Sequence, residues 1–213
     1  MKTLKPTAKT DLNIIDDAVT LFLNEEVIYE ISIKDANLSG LKLKDVKLSD
    51  STVSKTDFSR VFSEKFEVVD CEFKNCDFSS SQFPSSSWHI VSIDSSRLCG
   101  ADFQNSGLKN VTIKNSKIEI ANFRFSTLEN IIFEDCMIDD LDFYNSRLKN
   151  IEFINCNIDN VNFANTTMKN VDLSGSSISN IKGTGGLKGA IISYDQLIQL
   201  APYFANELGL KIK

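Results

Sequence analysis

The sequence has 213 residues, 42% of them hydrophobic and 24% charged, with 29 acidic against 23 basic side chains for a net charge of −6. That length suits one domain, and that balance describes a soluble globular chain rather than a disordered one. It is a poor match for a protein that grips nucleic acid or an anionic membrane, and no apolar run approaches the roughly 18 residues that would span a bilayer.

The opening stretch, Met1-Lys2-Thr3-Leu4-Lys5-Pro6, lacks the apolar segment of a signal peptide, so a cytoplasmic location is expected. Residues 1–30 are mixed in pattern, with Leu12, Ile14, Ile15, Ala18, Val19, Leu21, Phe22 and Leu23 supplying apolar surface. They read as an N-terminal cap, in which Asp11 or Asp16 would start a short helix.

From Ile33 to Ile178 every fifth residue is apolar, 30 positions in all, with Ser63 the one exception and no slip of frame. The residue two before these centres is mostly small or β-branched, as in Ala101, Ser106, Val111 and Ser116. The residue two after is mostly Asn, Asp, Gly or Ser, types that accept the backbone angles of a corner. A period of five fits neither a helix nor a plain strand. Two inward side chains and then a corner make a short strand and a turn, and repetition winds the chain into a solenoid. Like stacks on like at intervals of 20: Phe83, Phe103, Phe123, Phe143 and Phe163 form one column, and Ser86, Ser106, Ser126, Ser146 and Thr166 another. Four faces per coil follow, and 30 repeats make about 7.5 coils.

Runs such as Ala101-Asp102-Phe103-Gln104-Asn105 and Val161-Asn162-Phe163-Ala164-Asn165 resemble the pentapeptide-repeat proteins. The likeness covers residues 31–180 and implies an all-β right-handed quadrilateral β-helix. The pattern weakens at Arg60–Val69, where Ser63 takes a centre and Phe66 a small position, and at Pro84–Ile90. Either stretch could bulge, although drift in a tolerant coil accounts for both better than a binding site does.

Residues 181–213 leave the repeat through Gly183-Thr184-Gly185-Gly186. Ser193 is placed to cap a helix from Tyr194, Pro202 should kink or split it, Gly209 should end it, and Leu210-Lys211-Ile212 should close as a strand. This module is similar to the C-terminal module of quinolone-resistance pentapeptide proteins. The likeness implies a head-to-head homodimer through Tyr194, Leu197, Ile198, Ala201, Tyr203, Phe204 and Leu208; a monomeric cap is the alternative.

Candidate chemistry is sparse. His89 is the one histidine and should point outward, without partners converging on it. Cys71, Cys76, Cys136 and Cys156 occupy small inward positions and read as buried small hydrophobes. Cys136 and Cys156 should stack on neighbouring coils at a spacing a disulfide tolerates, but parallel side chains and a reducing cytosol disfavour the bond. Cys99, on the outside, is the candidate reactive thiol. No catalytic set, phosphate-binding loop, metal cluster or cofactor motif is present, and a rod filled by Phe and Leu leaves no substrate cavity. The chain is therefore read as non-enzymatic.

The charge is unevenly placed. Residues 31–128 carry 12 acidic and 13 basic side chains, whereas residues 129–180 carry 9 acidic and 3 basic. By the 20-residue period, Glu134, Asp135, Glu152 and Asp172 share one face, and Asp139, Asp140 and Asp159 the next, with no base on either in that stretch. The family resemblance implies that such an acidic rod imitates duplex DNA and binds DNA gyrase or topoisomerase IV, modulating quinolone sensitivity. This sequence lacks the frame-breaking loops some of those members use for protection. The alternative is a generic protein-interaction scaffold that uses outward apolar residues, chiefly Ile132, Ile154 and Tyr144 with Ile120, Phe125 and Met137 nearby.

Overall fold

The computed structural model describes residues 3–7 and 9–211. Within it the chain is a β-solenoid. One column of parallel strands runs from Asn13–Ile15 through Ile31–Lys34 and successive rungs up to Ala190–Ile191, about nine turns. The repeat pattern alone gives about 7.5 coils. The excess comes from the two ends, which form coil rungs without carrying the five-residue signature.

Residues 111–130 illustrate one coil. Val111–Lys114 forms the first face, Ser116–Glu119 the second, Ala121–Arg124 the third and Ser126–Glu129 the fourth. Inward residues of every face are buried, among them Ile113, Ile118, Phe123 and Leu128. Strands of eight residues, such as Gly107–Lys114 and Thr127–Glu134, run from the fourth face across the corner onto the first. After an initial three-residue ladder between Lys42–Lys44 and Phe62–Glu64, the third face pairs with its neighbours through single bridges, such as Asp102 to Asn122 and Asn122 to Asp142. There the outward Asp or Asn accepts a bond from the backbone N–H two residues on, as Asn122 does from Arg124 at 3.0 Å and Asp142 from Tyr144 at 2.8 Å. These side chains close tight turns in place of a ladder.

The corner residues have left-handed φ at every fifth position from Glu30 to Asn180 except Gly175. Asn and Asp fill most corners because they tolerate that region. Ile120, with φ 54° and 69% exposure, is a misfit, since a β-branched side chain there is strained and gains nothing from burial. Ile120→Asn is expected to stabilise the fold by about 1 kcal/mol, read as a higher urea midpoint at unchanged slope.

Neither weak stretch bulges. Leu43 pairs with Ser63 and Val68 with Trp88, each 20 residues on. Phe66 compensates for the small Ser63: it is fully buried, its ring 5.2 Å from Phe83 and 5.8 Å from Trp88. The Trp88 indole N–H donates to Ser86 Oγ at 3.0 Å. The register departs from 20 where Asn13 pairs with Ile31, where Ile154 pairs with Gly175, and where Val171 pairs with Ala190.

At the N-terminal end, helix α1 (Ala18–Asn24) replaces part of a coil and plugs the core with Phe22, whose ring lies 6.3 Å from Phe58. Its cap is Asp17, which accepts from Thr20 N, rather than the expected Asp11 or Asp16. Ahead of it, Lys9 bridges Asp50 at 2.7 Å and Asp70 at 3.3 Å, and Thr7 N donates to Asp70.

At the other end, helix α2 (Tyr194–Glu207) begins with Ser193 and Gln196 as a capping box. Pro202 does not split it. The carbonyl left without a donor is that of Ile198, on the exposed side, where water can satisfy it. Beyond α2 the expected closing strand is absent at Leu210 and Lys211, and Ile212 lies outside the described residues. Instead Leu210 N donates to Ala205 O at 2.8 Å and Gly209 N to Asn206 O at 3.0 Å, with Gly209 at φ 69°. That Schellman arrangement ends the helix.

Candidate interaction surfaces

The seven acidic residues lie on two adjoining faces. On the first, Glu152 and Asp172 occupy successive rungs, with Glu134 in the parallel outward row and Asp135 at the corner. On the second, Glu119, Asp139 and Asp159 pair rung to rung, a file of carboxylates about 4.8 Å apart. Asp140 stands at the next corner. Glu119 was missed in the sequence because it precedes the acid-rich segment; it heads the file and is paired with Lys117 at 2.8 Å.

Most of these carboxylates are held by neutral donors, which fix position without cancelling charge. Asp159 accepts from Ser179 Oγ at 2.7 Å, Asn180 Nδ2 at 2.8 Å and Asn160 N at 2.9 Å. The Ser179 hydroxyl, followed by the Asn180 amide, keeps its carboxyl below the usual range, so it stays ionised at neutral pH. Asp140 accepts from Asn160 at 2.9 Å, Asp135 from Asn155, and Asp172 from Ser174. One base reaches the surface from the third face: Lys182 Nζ lies 3.9 Å from Asp140, which the sequence count had not included. On the fourth face Lys149 and Lys109 converge on Glu129, at 2.6 and 3.8 Å.

The apolar set divides. Ile132 and Ile154 border a groove of about 380 Å³ on the first face, which Lys5 and Pro6 meet at one end. Tyr144 is on the opposite, third face, where its ring is 5.7 Å from Phe125 and 4.8 Å from the Arg124 guanidinium. A single patch built from Ile132, Ile154 and Tyr144 does not exist, because their sequence spacing puts them two corners apart.

Helix α2 also presents two sides. Tyr194, Leu197, Ile198, Ala201 and Leu208 are exposed. Tyr203 and Phe204 are half-buried against the solenoid beside the buried Gln196 and Leu200. The Tyr203 hydroxyl donates to Asn180 at 3.2 Å, and Gln196 Nε2 donates to Leu173 O and Ser176 O at 2.7 Å each. Tyr203 and Phe204 therefore seat the helix on its own end coil.

Cys99 is half-buried and donates to Glu119. Burial, and then the Glu119 carboxylate, push its thiol upward, so it is not the reactive thiol expected from the sequence. His89 Nε2 lies 3.3 Å from the Asn110 amide, at the foot of a ladder in which Asn130, Asn150 and Asn170 each donate to the Asn below. Among the described residues no group of three or more His, Cys, Asp or Glu side chains could hold a metal ion, and no helix is long and apolar enough to cross a membrane.

Two family models match, a pentapeptide repeat region over residues 66–143 and eight copies of pentapeptide repeats over residues 146–182. No curated protein matches the sequence. Among solved structures, the chain is similar to HetL, a pentapeptide repeat protein involved in heterocyst differentiation regulation from Nostoc sp. strain PCC 7120, at 13% identity and TM-score 0.41, over 78% of this chain and 89% of that one. It is similar to full-length QnrB1, a plasmid-mediated fluoroquinolone resistance protein, at 20% identity and TM-score 0.31, over 84% of this chain and 100% of that one. It is also similar to the pentapeptide repeat protein Rfr23 from Cyanothece 51142, at 13% identity and TM-score 0.23, over 78% and 88% of the two chains. Likenesses of this degree bear on neither function nor partner.

Proposed function

The chain belongs to the pentapeptide-repeat family, and on that premise we propose that it is a non-enzymatic binding protein whose acidic first and second faces imitate duplex DNA. The partner class is a type II topoisomerase, DNA gyrase or topoisomerase IV, and the consequence is altered quinolone sensitivity. The observation that carries this reading is charge density. Glu134, Asp135, Asp139, Asp140, Glu152, Asp159 and Asp172 fall on three successive rungs, so the surface holds one carboxylate per roughly 2 Å of axis at the 4.8 Å rung spacing. B-DNA presents about one negative charge per 1.7 Å. The neighbouring bases Lys109 and Lys149 are gathered on the fourth face, away from this surface. A positive DNA-binding channel would meet it as it meets a duplex.

A homodimer through Tyr194, Leu197, Ile198, Ala201 and Leu208 belongs to the same proposal. It is supported by a stripe in which Tyr194 is 76% and Leu208 73% exposed. The second reading, an apolar protein-interaction scaffold, is favoured by the Ile132 and Ile154 groove on the first face.

Gyrase supercoiling with purified protein, with and without a quinolone and over a salt series, tests the first reading. Inhibition or drug relief is expected to fade steeply as ionic strength rises. The triple variant D139N/D140N/D159N is expected to lose the effect by tenfold or more, about 1.4 kcal/mol. Wild-type protein without effect at high micromolar concentration, or an effect unchanged by salt, would overturn DNA mimicry and leave the scaffold reading.

A further inference from the structure

We infer that Cys136 and Cys156 form an oxidation site, a dithiol that hydrogen peroxide converts to an intramolecular disulfide. The two residues occupy the same inward position on adjacent rungs, joined by Asn157 N donating to Cys136 O at 3.0 Å. Rungs about 4.8 Å apart fall within the Cα range of a disulfide. Between these two rungs the register is regular, Met137 pairing with Asn157 and Ile138 with Ile158, so the side chains run parallel; on its other side, however, the Cys156 rung meets an irregular coil that leaves it room to shift. At the next rung Ile154 pairs with Gly175, one residue out of register, and Gly175 is the one corner without left-handed φ. A groove of about 550 Å³ opens at that point between the last coil and α2. Cys156 lines it, with Ser176, Ser193, Asp195 and Gln196. Elsewhere the column holds Ser96 and Ser116, both buried.

Each thiol points back to carbonyls of its own corner and of the coil before, Cys136 to Glu134 at 3.3 Å and Ile113 at 3.4 Å, and Cys156 to Ile154 and Phe133 at 3.4 Å each. The neighbouring Cys136 thiol eases loss of the Cys156 proton against the opposing effect of burial, while Cys136 itself is pushed up. By contrast, Cys71 and Cys76 are buried without such a partner and stand at about 12 and about 11.

The chemistry closes on hydrogen peroxide alone. The Cys156 thiolate attacks one peroxide oxygen. An S–O bond forms, the O–O bond breaks, and the departing hydroxide takes the thiol proton as water. The sulfur, now a sulfenic acid, is attacked by Cys136. The S–S bond forms, the S–O bond breaks, and hydroxide leaves with the Cys136 proton as a second water. Two thiols are oxidised and one peroxide is reduced to two waters.

The test treats the full chain with hydrogen peroxide, alkylates free thiols under denaturing conditions, and maps the digest without reduction by mass spectrometry. The expected product is one cross-linked pair of peptides containing Cys136 and Cys156, lighter by two hydrogens and restored by dithiothreitol, with Cys71, Cys76 and Cys99 alkylated. Cys136→Ser should leave a sulfenic acid on Cys156 that dimedone traps, and Cys156→Ser should abolish oxidation of the column. Serine already fills this position at Ser116 and Ser176, so both variants should fold, as circular dichroism would check. Full alkylation of Cys136 and Cys156 while Cys99 oxidises, or direct passage of Cys156 to sulfinic acid in the wild-type chain, would overturn the inference.

Discussion

Phe123→Ala is expected to destabilise the protein by about 3–5 kcal/mol and to divide its unfolding into two transitions. Phe123 is fully buried, its ring 5.0 Å from Phe103 and nearly parallel to it at 10°, and 5.7 Å from Phe143. Truncation removes both ring contacts and leaves a cavity the coil cannot close, because the backbone above and below is fixed by rung-to-rung hydrogen bonds. In a globular core the loss would be shared by the whole domain. In a solenoid each coil touches only its neighbours, so a gap at one rung weakens the coupling of the two halves. Urea unfolding followed by circular dichroism should show a lower first midpoint and a shallower slope per transition. Phe125→Ala, two residues on, should change stability by under about 1 kcal/mol, since that ring is 43% exposed on a corner at φ 59°. A single steep transition for Phe123→Ala would count against nearest-neighbour cooperativity.

The interior of this fold was legible because two inward positions in every five residues leave a period that neither a helix nor a plain strand produces. The Phe103 to Phe163 column, the Ser ladder from Ser86 to Ser146 and the Asn corners follow from spacing alone. What spacing cannot carry is compensation between positions. Ser63 and Phe66 each break the pattern, yet together they fill one space. The ends were harder for a related reason. The pairing of Asn13 with Ile31 depends on α1 spanning part of a coil, which has no five-residue signature. On the surface, the period assigned each acid to its face but not its partners. Lys182 reaches Asp140 across a corner, and Glu119 joins the carboxylate file from a coil whose net charge hid it. The apolar set failed because outward residues were grouped by composition. Geometry separates Tyr144 from Ile132 and Ile154 by two corners.

Gly186→Ala is expected to cost about 4 kcal/mol or more and to release the C-terminal end from the solenoid. A Cβ on Gly186 would lie 1.8 Å from the Phe163 carbonyl oxygen, backbone that cannot move without opening the last coil. Gly186 sits in a 3₁₀ turn, Thr184–Leu187, that lowers Leu187 onto the core and closes it. Beyond it, Gln196 satisfies the carbonyls of Leu173 and Ser176 in place of a following rung. Displacing the turn exposes that end of the apolar column and leaves those acceptors without partners. Gly185 provides the control. Its Cβ would meet only the Glu207 carboxylate at 3.1 Å, the far end of a flexible side chain, so Gly185→Ala should cost under about 1 kcal/mol. Hydrogen exchange separates the cases: Gly186→Ala should lose protection across residues 184–207 while the Phe123 coil keeps it, and Gly185→Ala should keep both. Equal protection in the two variants would mean that the turn yields, and that α2 is held by Gln196 and its own packing rather than by the close approach at Gly186.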